Sequence, residues 1–208
     1  MKNAGFPAVQ RRYKTTMKKI LFAVLLLCPS FAAAQNGPVN LAGRANITLN
    51  ISQMDARGGF KQWADAGDYD ADVSAGLFAG FNLTNMFELG IGFNHFGTYD
   101  TTIGTDKWET SFYDIGAYAK VNAPQIALSA DTGLNFYGKI GVGQYYLTNE
   151  LTISHTKTTT EYDHTGISCG FGGDINFPNF ILGIEYQIHR VDYETLAQNV
   201  GLNIGYRF

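Results

Sequence analysis

The residues able to do chemistry are few and scattered. Histidines stand at His95, His155, His164 and His189. His155 and His164 flank a threonine-rich stretch nine residues apart, a separation that matches no tight metal-ligand spacing. Ser168 follows His164 by four residues, which puts both on one face of an extended strand. With Glu185 as the acid, such a set could activate a serine for acyl hydrolysis. Asp65, Asp68, Asp70 and Asp72 have the carboxylate density of a calcium loop. They lack the residue order of an EF-hand. Neither pattern is complete, so the chain reads as non-enzymatic, with no catalytic residue, no cofactor and no metal ligand assigned. Of two cysteines, Cys28 lies in an amino-terminal leader, which leaves Cys169 alone. An intrachain disulfide and a cysteine-based zinc site both need more.

A second constellation is larger. Arg44, Lys120, Lys139 and Arg207 share the polar faces of alternating segments with Glu88, Asp114, Asp174 and Glu185. Four bases and four acids on an enclosed face must pair, because an isolated buried charge is too costly. The expectation is a neutral interior network of these eight.

The elements that carry them alternate with the period of two that marks a strand. Eight such segments are read, at 41–52, 73–84, 87–94, 112–121, 134–143, 164–177, 180–189 and 200–208. The connections after the first, third and fifth are long and polar, at 53–70, 97–107 and 148–161, whereas those at 84–86 and 178–179 are tight. The connection at 122–131, which contains Pro124, is long for a turn. No segment reads as a helix. An even number of antiparallel strands can close into an up-and-down barrel. About ten residues at roughly 3.3 Å each, tilted about 40°, give a band about 25 Å tall.

A soluble barrel alternates too, with its apolar face inward, so three features decide the orientation. The polar face is crowded with glycine, among them Gly76, Gly80, Gly90, Gly92, Gly141, Gly166, Gly170, Gly172 and Gly183. A solvated face has no need of such small residues, and a narrow bore does. The charged set on that face is balanced. Phe87, Phe136, Phe177, Phe180 and Phe208 fall at one end of their strands, as an interfacial aromatic girdle requires. The oily face is therefore expected to meet lipid. Phe78, Phe112, Tyr118 and Tyr137 point the other way, against a wide pore.

The chain closes on V-G-L-N-I-G-Y-R-F, in which Val200, Leu202, Ile204, Tyr206 and Phe208 alternate with Gly201, Asn203, Gly205 and Arg207. This resembles the closing strand of the small eight-stranded bacterial outer-membrane β-barrel family, the porin-like outer membrane protein beta-barrel domain. The resemblance spans about residues 36–208. It implies an all-β, eight-stranded antiparallel transmembrane barrel in the bacterial outer membrane, embedded in its lipid. It also implies recognition of the carboxy-terminal strand by the barrel-assembly machinery. Members of this size typically have plugged interiors and serve envelope integrity or bind surface ligands through external loops. Phe60, Trp63, Tyr99 and Trp108 lie in or near two such loops. Two alternatives stay open: a narrow channel for small solutes, and a lipid-modifying outer-membrane enzyme.

Composition agrees. Charged residues are 16% and aromatics 14%, with 24 glycines in 208 residues. The formal net charge of −3 includes six bases and no acid before residue 35. Removing that leader leaves nine bases against eighteen acids, a poor match to nucleic acid, which is bound by basic patches. Within the leader, Met17-Lys18-Lys19 precedes an apolar core at 20–28 and an Ala32-Ala33-Ala34 site. That is the pattern of a secretory signal peptide over 17–34. Residues 1–16 read as an upstream over-extension.

Overall fold

The computed structural model describes residues 37–57, 73–103, 106–153, 156–191 and 195–208. The expected leader therefore lies outside the described residues, as do Phe60, Trp63, the Asp65–Asp72 cluster and His155.

Eight long strands close on themselves. They are β1 (Ala45–Arg57), β2 (Val73–Asn82), β3 (Phe87–Ile103), β4 (Asp106–Asn122), β6 (Gly133–Ile153), β7 (Thr156–Asn176), β8 (Phe180–Val191) and β9 (Thr195–Arg207). A two-residue strand, β5 (Ile126–Ala127), pairs only with the start of β6. Each long strand is antiparallel to its neighbours, β4 pairs with β6, and β1 pairs with both β2 and β9. Among the described residues closure leaves no open sheet edge in the membrane-spanning band, as lipid demands of every backbone N–H and C=O. No helix occurs among the described residues.

The side chains are sorted inside out. Ile91, Ile184, Val200, Leu202 and Ile204 are each more than half exposed on the outer wall. Asn46, Asn94, Asp174, Glu185, Asn203 and Arg207 are each at most 6% exposed in the bore. Water would reject that wall, and a bilayer accepts it. The outward apolar residues run from Ile167 on β7 to Phe177 just past its end. Ten residues of tilted strand span about 25 Å.

β1 runs on to Arg57 and β9 starts already at Thr195, and three further differences from the sequence expectation are larger. The segments 97–107 and 148–161 are not loops. β3 with β4, and β6 with β7, continue as ladders to Ile103↔Asp106 and Ile153↔Thr156. Threonine and tyrosine on both faces hold a strand without alternating, so the period-two signal fades where the strand leaves the membrane. On β3 the register shifts between His95 and Thr98. Gly97 takes φ 97° there, a left-handed conformation that glycine adopts without strain. The third difference is at the start. Residues 41–44 continue the alternation of β1 but do not join it. Arg44 N donates to Leu41 O at 3.2 Å, closing a turn in which Gly43 has φ 73°, the third-position geometry of a type II turn.

Bore glycines make room for rings. A Cβ added at Gly172 would lie 2.5 Å from Tyr137 Oη, whereas Gly138 faces outward with nothing within 4 Å. Gly172→Val is therefore expected to abolish or strongly reduce the folded fraction, scored as the heat-modifiable gel band. Gly138→Val should fold at least as well as the parent.

Candidate functional site

Among the described residues, buried polar side chains converge in the interior. It has three layers. At the short-turn end, five asparagines sit at the ends of β1, β2, β4, β6 and β7: Asn46, Asn82, Asn122, Asn135 and Asn176, each at most 3% exposed. Asn135 Nδ2 donates to Asn122 Oδ1 at 2.9 Å, Asn176 donates to Asn135, and Arg207 donates to Asn176 Oδ1 at 2.6 Å. An amide both donates and accepts, so it can chain around a rim.

The middle layer carries the charges. Lys120 Nζ lies 2.6 Å from Asp174 Oδ2, and Lys139 Nζ lies 2.5 Å from Glu185 Oε1. Each pair joins strands that are not neighbours, β4 to β7 and β6 to β8, as a chord across the bore. Glu185 also accepts from Tyr137 Oη at 2.7 Å and Asn203 Nδ2 at 3.2 Å, which satisfies the oxygens that the lysine leaves over. Lys139 stands over the Phe78 ring at 4.2 Å, and Lys120 over the Tyr137 ring at 3.8 Å.

The other four members of the expected network are held differently. Glu88 accepts from Tyr118 Oη at 2.8 Å and Asn46 Nδ2 at 3.1 Å. Asp114 accepts from Asn94 Nδ2 at 2.7 Å and lies 3.6 Å from His189 Nδ1. Arg207 bonds Asn176, as above. Arg44 is not in the bore. Its guanidinium sits on the rim and donates to Phe208 O at 3.0 Å, Pro178 O at 2.5 Å and Asn179 Oδ1 at 2.8 Å. The eight thus resolve into two ion pairs and four residues held by amides, hydroxyls or main-chain oxygens.

The third layer, toward the hairpin end, is apolar, and of its members only Phe112 was visible in the alternation. Met54, Phe96, Phe112, Tyr145 and Ala197 form one buried cluster. Phe96 stacks on Phe112 at 4.5 Å and meets His189 edge-on at 4.8 Å. Tyr145 Oη and His189 Nδ1 are 3.0 Å apart. Phe96 and Tyr145 lie just beyond the segments read as strands, beside the expected loops.

Among the described residues, two small voids lie between these layers, each of about 20 Å³. That holds about one water each. Phe78, Tyr118 and Lys139 line both voids.

The serine–histidine–acid set is not assembled. Ser168 is half-buried and His164 is exposed, four residues apart on a strand and so about 13 Å distant. Glu185 is held by Lys139 and Tyr137. No group of three or more His, Cys, Asp or Glu could hold a metal ion among the described residues.

The outer wall places the expected aromatics at the short-turn end. Phe136, Phe180 and Phe208 are more than half exposed, and Phe177 and Phe87 less so. Tyr206 stands between Phe180 and Phe208, at 5.3 and 5.1 Å.

The model of the outer membrane protein beta-barrel domain matches residues 20–208. The chain belongs to that family. It is thus a bacterial outer-membrane protein, and the short-turn end is the periplasmic one by the rule of short inner turns and long outer loops. No curated protein matches the sequence. Among solved structures it is similar to Ail, the attachment invasion locus protein of Yersinia pestis, at 16% identity and TM-score 0.51, over 80% of this chain and 99% of that one. It is also similar to Neisserial surface protein A at 12% identity and TM-score 0.52, over 80% and 99%. The amino-terminal barrel domain of Pseudomonas aeruginosa OprF gives 15% identity and TM-score 0.51, over 78% and 97%. Identities this low speak for the fold alone.

Removing one partner of the Lys139–Glu185 pair strands the other in the bore. Lys139→Met is expected to lower stability by about 3–5 kcal/mol, and Lys139→Met with Glu185→Leu by clearly less. Urea unfolding in detergent micelles, followed by tryptophan fluorescence, measures both.

Proposed function

We propose that the protein is a non-enzymatic outer-membrane barrel whose bore is closed, and that it acts at the cell surface through its projecting hairpins, in surface binding or envelope integrity. The observation that supports the closed bore is the filling of its middle by the Lys120–Asp174 and Lys139–Glu185 pairs and the Phe78 and Tyr118 rings, beside which the two voids described are only about water-sized. A hydrated ion needs a continuous path, and the crowding of Phe78, Tyr118 and Lys139 between the two voids speaks against one.

The hairpins supply the surface. β7 pairs with β8 only from Ile167 onward, so its stretch from Thr156 to Thr165 has a ladder partner on one side alone among the described residues. All ten residues of that stretch are exposed. A strand with one free edge offers backbone donors and acceptors to an extended segment of a partner. Its side chains narrow the choice. Lys107 pairs with Glu109 at 2.9 Å and Lys157 with Glu150 at 2.7 Å, while Glu161 and Asp163 add negative charge beside them. One crystal structure of the Yersinia Ail protein holds the heparin analogue sucrose octasulfate. The acidic balance of the hairpins here favours a neutral or basic partner over a polyanion.

In planar bilayers the purified barrel is expected to give no steady open conductance. A steady single-channel level would contradict the closed bore and favour a solute channel.

A further inference from the structure

The chain before β1 is not part of the wall, yet it is fixed and partly buried. Val39 is 5% exposed and Leu41 2%. Both belong to a segment of eight residues, 37–44, at the periplasmic end. Its far end rests on the connection between β4 and β6. Gln125 Nε2 donates to Val39 O at 3.0 Å, and Gln125 Oε1 accepts from Val39 N at 3.3 Å. One side-chain amide thereby takes the place of a peptide unit in a ladder. Its middle is held by the β2–β3 turn, where Asn85 Oδ1 accepts from Leu41 N at 2.7 Å and Ala42 N at 2.9 Å. Its near end is pinned. Gly43 N donates to Asn82 O at 2.7 Å, and Arg44 is anchored to the ends of β9 and the β7–β8 turn.

In strand order around the barrel, the β4–β6 connection lies opposite β1. The segment thus runs from β1 past the β2–β3 turn to the far side of the periplasmic end, with Val39 and Leu41 buried. Gly43 sits at its root with φ 73° and open space where a Cβ would go. The distal grip consists of side-chain amides, not of a sheet ladder.

We propose that residues 37–42 are a lid on the periplasmic mouth, with Gly43 as hinge, Arg44 as fixed pivot, and Gln125 and Asn85 as a releasable latch. The wall is locked by cooperative ladders on both sides of every long strand within the membrane. The lid is held by four side-chain hydrogen bonds and two apolar side chains. It therefore opens without unfolding the barrel, since regions with few buried contacts and isolated hydrogen bonds open below the global free energy. Opening uncovers the periplasmic end of the bore.

The test uses the full chain in detergent micelles, in a Cys28→Ser, Cys169→Ser background. Leu41→Cys reports the lid, and Asn40→Cys on the exposed side is the accessible control. A water-soluble maleimide is the probe, and heat-modifiable gel mobility confirms that the barrel stays folded. Leu41→Cys is expected to react to completion in the folded barrel, far more slowly than the control. Adding Gln125→Ala should speed it by about tenfold, the effect of losing two hydrogen bonds, and Asn85→Ala should act in the same direction. Labelling that occurs only after the barrel unfolds would show a fixed part of the wall and overturn the lid. Labelling at the control rate would show that the mouth is not covered. Equal rates with and without both latch residues would overturn the latch. Should Leu41→Cys fail to fold, amide hydrogen exchange at Val39 and Leu41 in the parent and in Gln125→Ala gives the same three outcomes.

Discussion

Everything in this barrel follows from one constraint: the solvent outside the wall is hydrocarbon. Lipid tails cannot hydrogen-bond, so each backbone group must find its partner in the sheet, and only a closed ring of strands achieves that. The same solvent expels polar side chains from the wall. Period-two alternation leaves them one destination, the bore. An arrangement that would be inside out in water is thus the stable one in a membrane.

A bore walled by eight strands is narrow, and what enters it must be both sized and satisfied. Size is handled by opposing small and large residues. Glycines at Gly90, Gly92 and Gly172 lie under Tyr118, Phe78 and Tyr137. Satisfaction is handled by chords. Lysine–carboxylate pairs, a tyrosine–carboxylate bond and asparagine chains each tie strands across or around the interior. Buried pairs of this kind add little net stability over apolar packing and cost heavily when halved. Here they join strands that are not neighbours, β4 to β7 and β6 to β8. The aromatic cluster around Phe96 packs toward the hairpin end, and Val39 and Leu41 are buried at the periplasmic end.

How much of this was legible beforehand depended on what each residue had to do. The eight strands were readable because lipid on one face and bore on the other enforce strict alternation, as in β9. Above the membrane that contrast vanishes. Thr156 to Glu161 meets water on both sides, so it looked like a loop although it is a strand. Phe96 and Tyr145 were missed for the same reason, because each lies one step past the end of readable alternation. Arg44 was misplaced because Leu41, Gly43 and Ala45 keep the parity of a strand while Gly43 turns the chain aside. Which base meets which acid was not readable at all. Lys139 finds Glu185 two strands away, and sequence records the face of a residue but not its height or partner in the bore.

The account stands on which solvent touches which side of the sheet. Nuclear Overhauser contacts between lipid acyl protons and isoleucine methyl groups in nanodiscs measure that directly. Ile184, on the outer wall, is predicted to show strong acyl contacts, and Ile181, three residues earlier and 5% exposed in the bore, is predicted to show none. Acyl contacts at Ile181, or water contacts in place of lipid at Ile184, would contradict it.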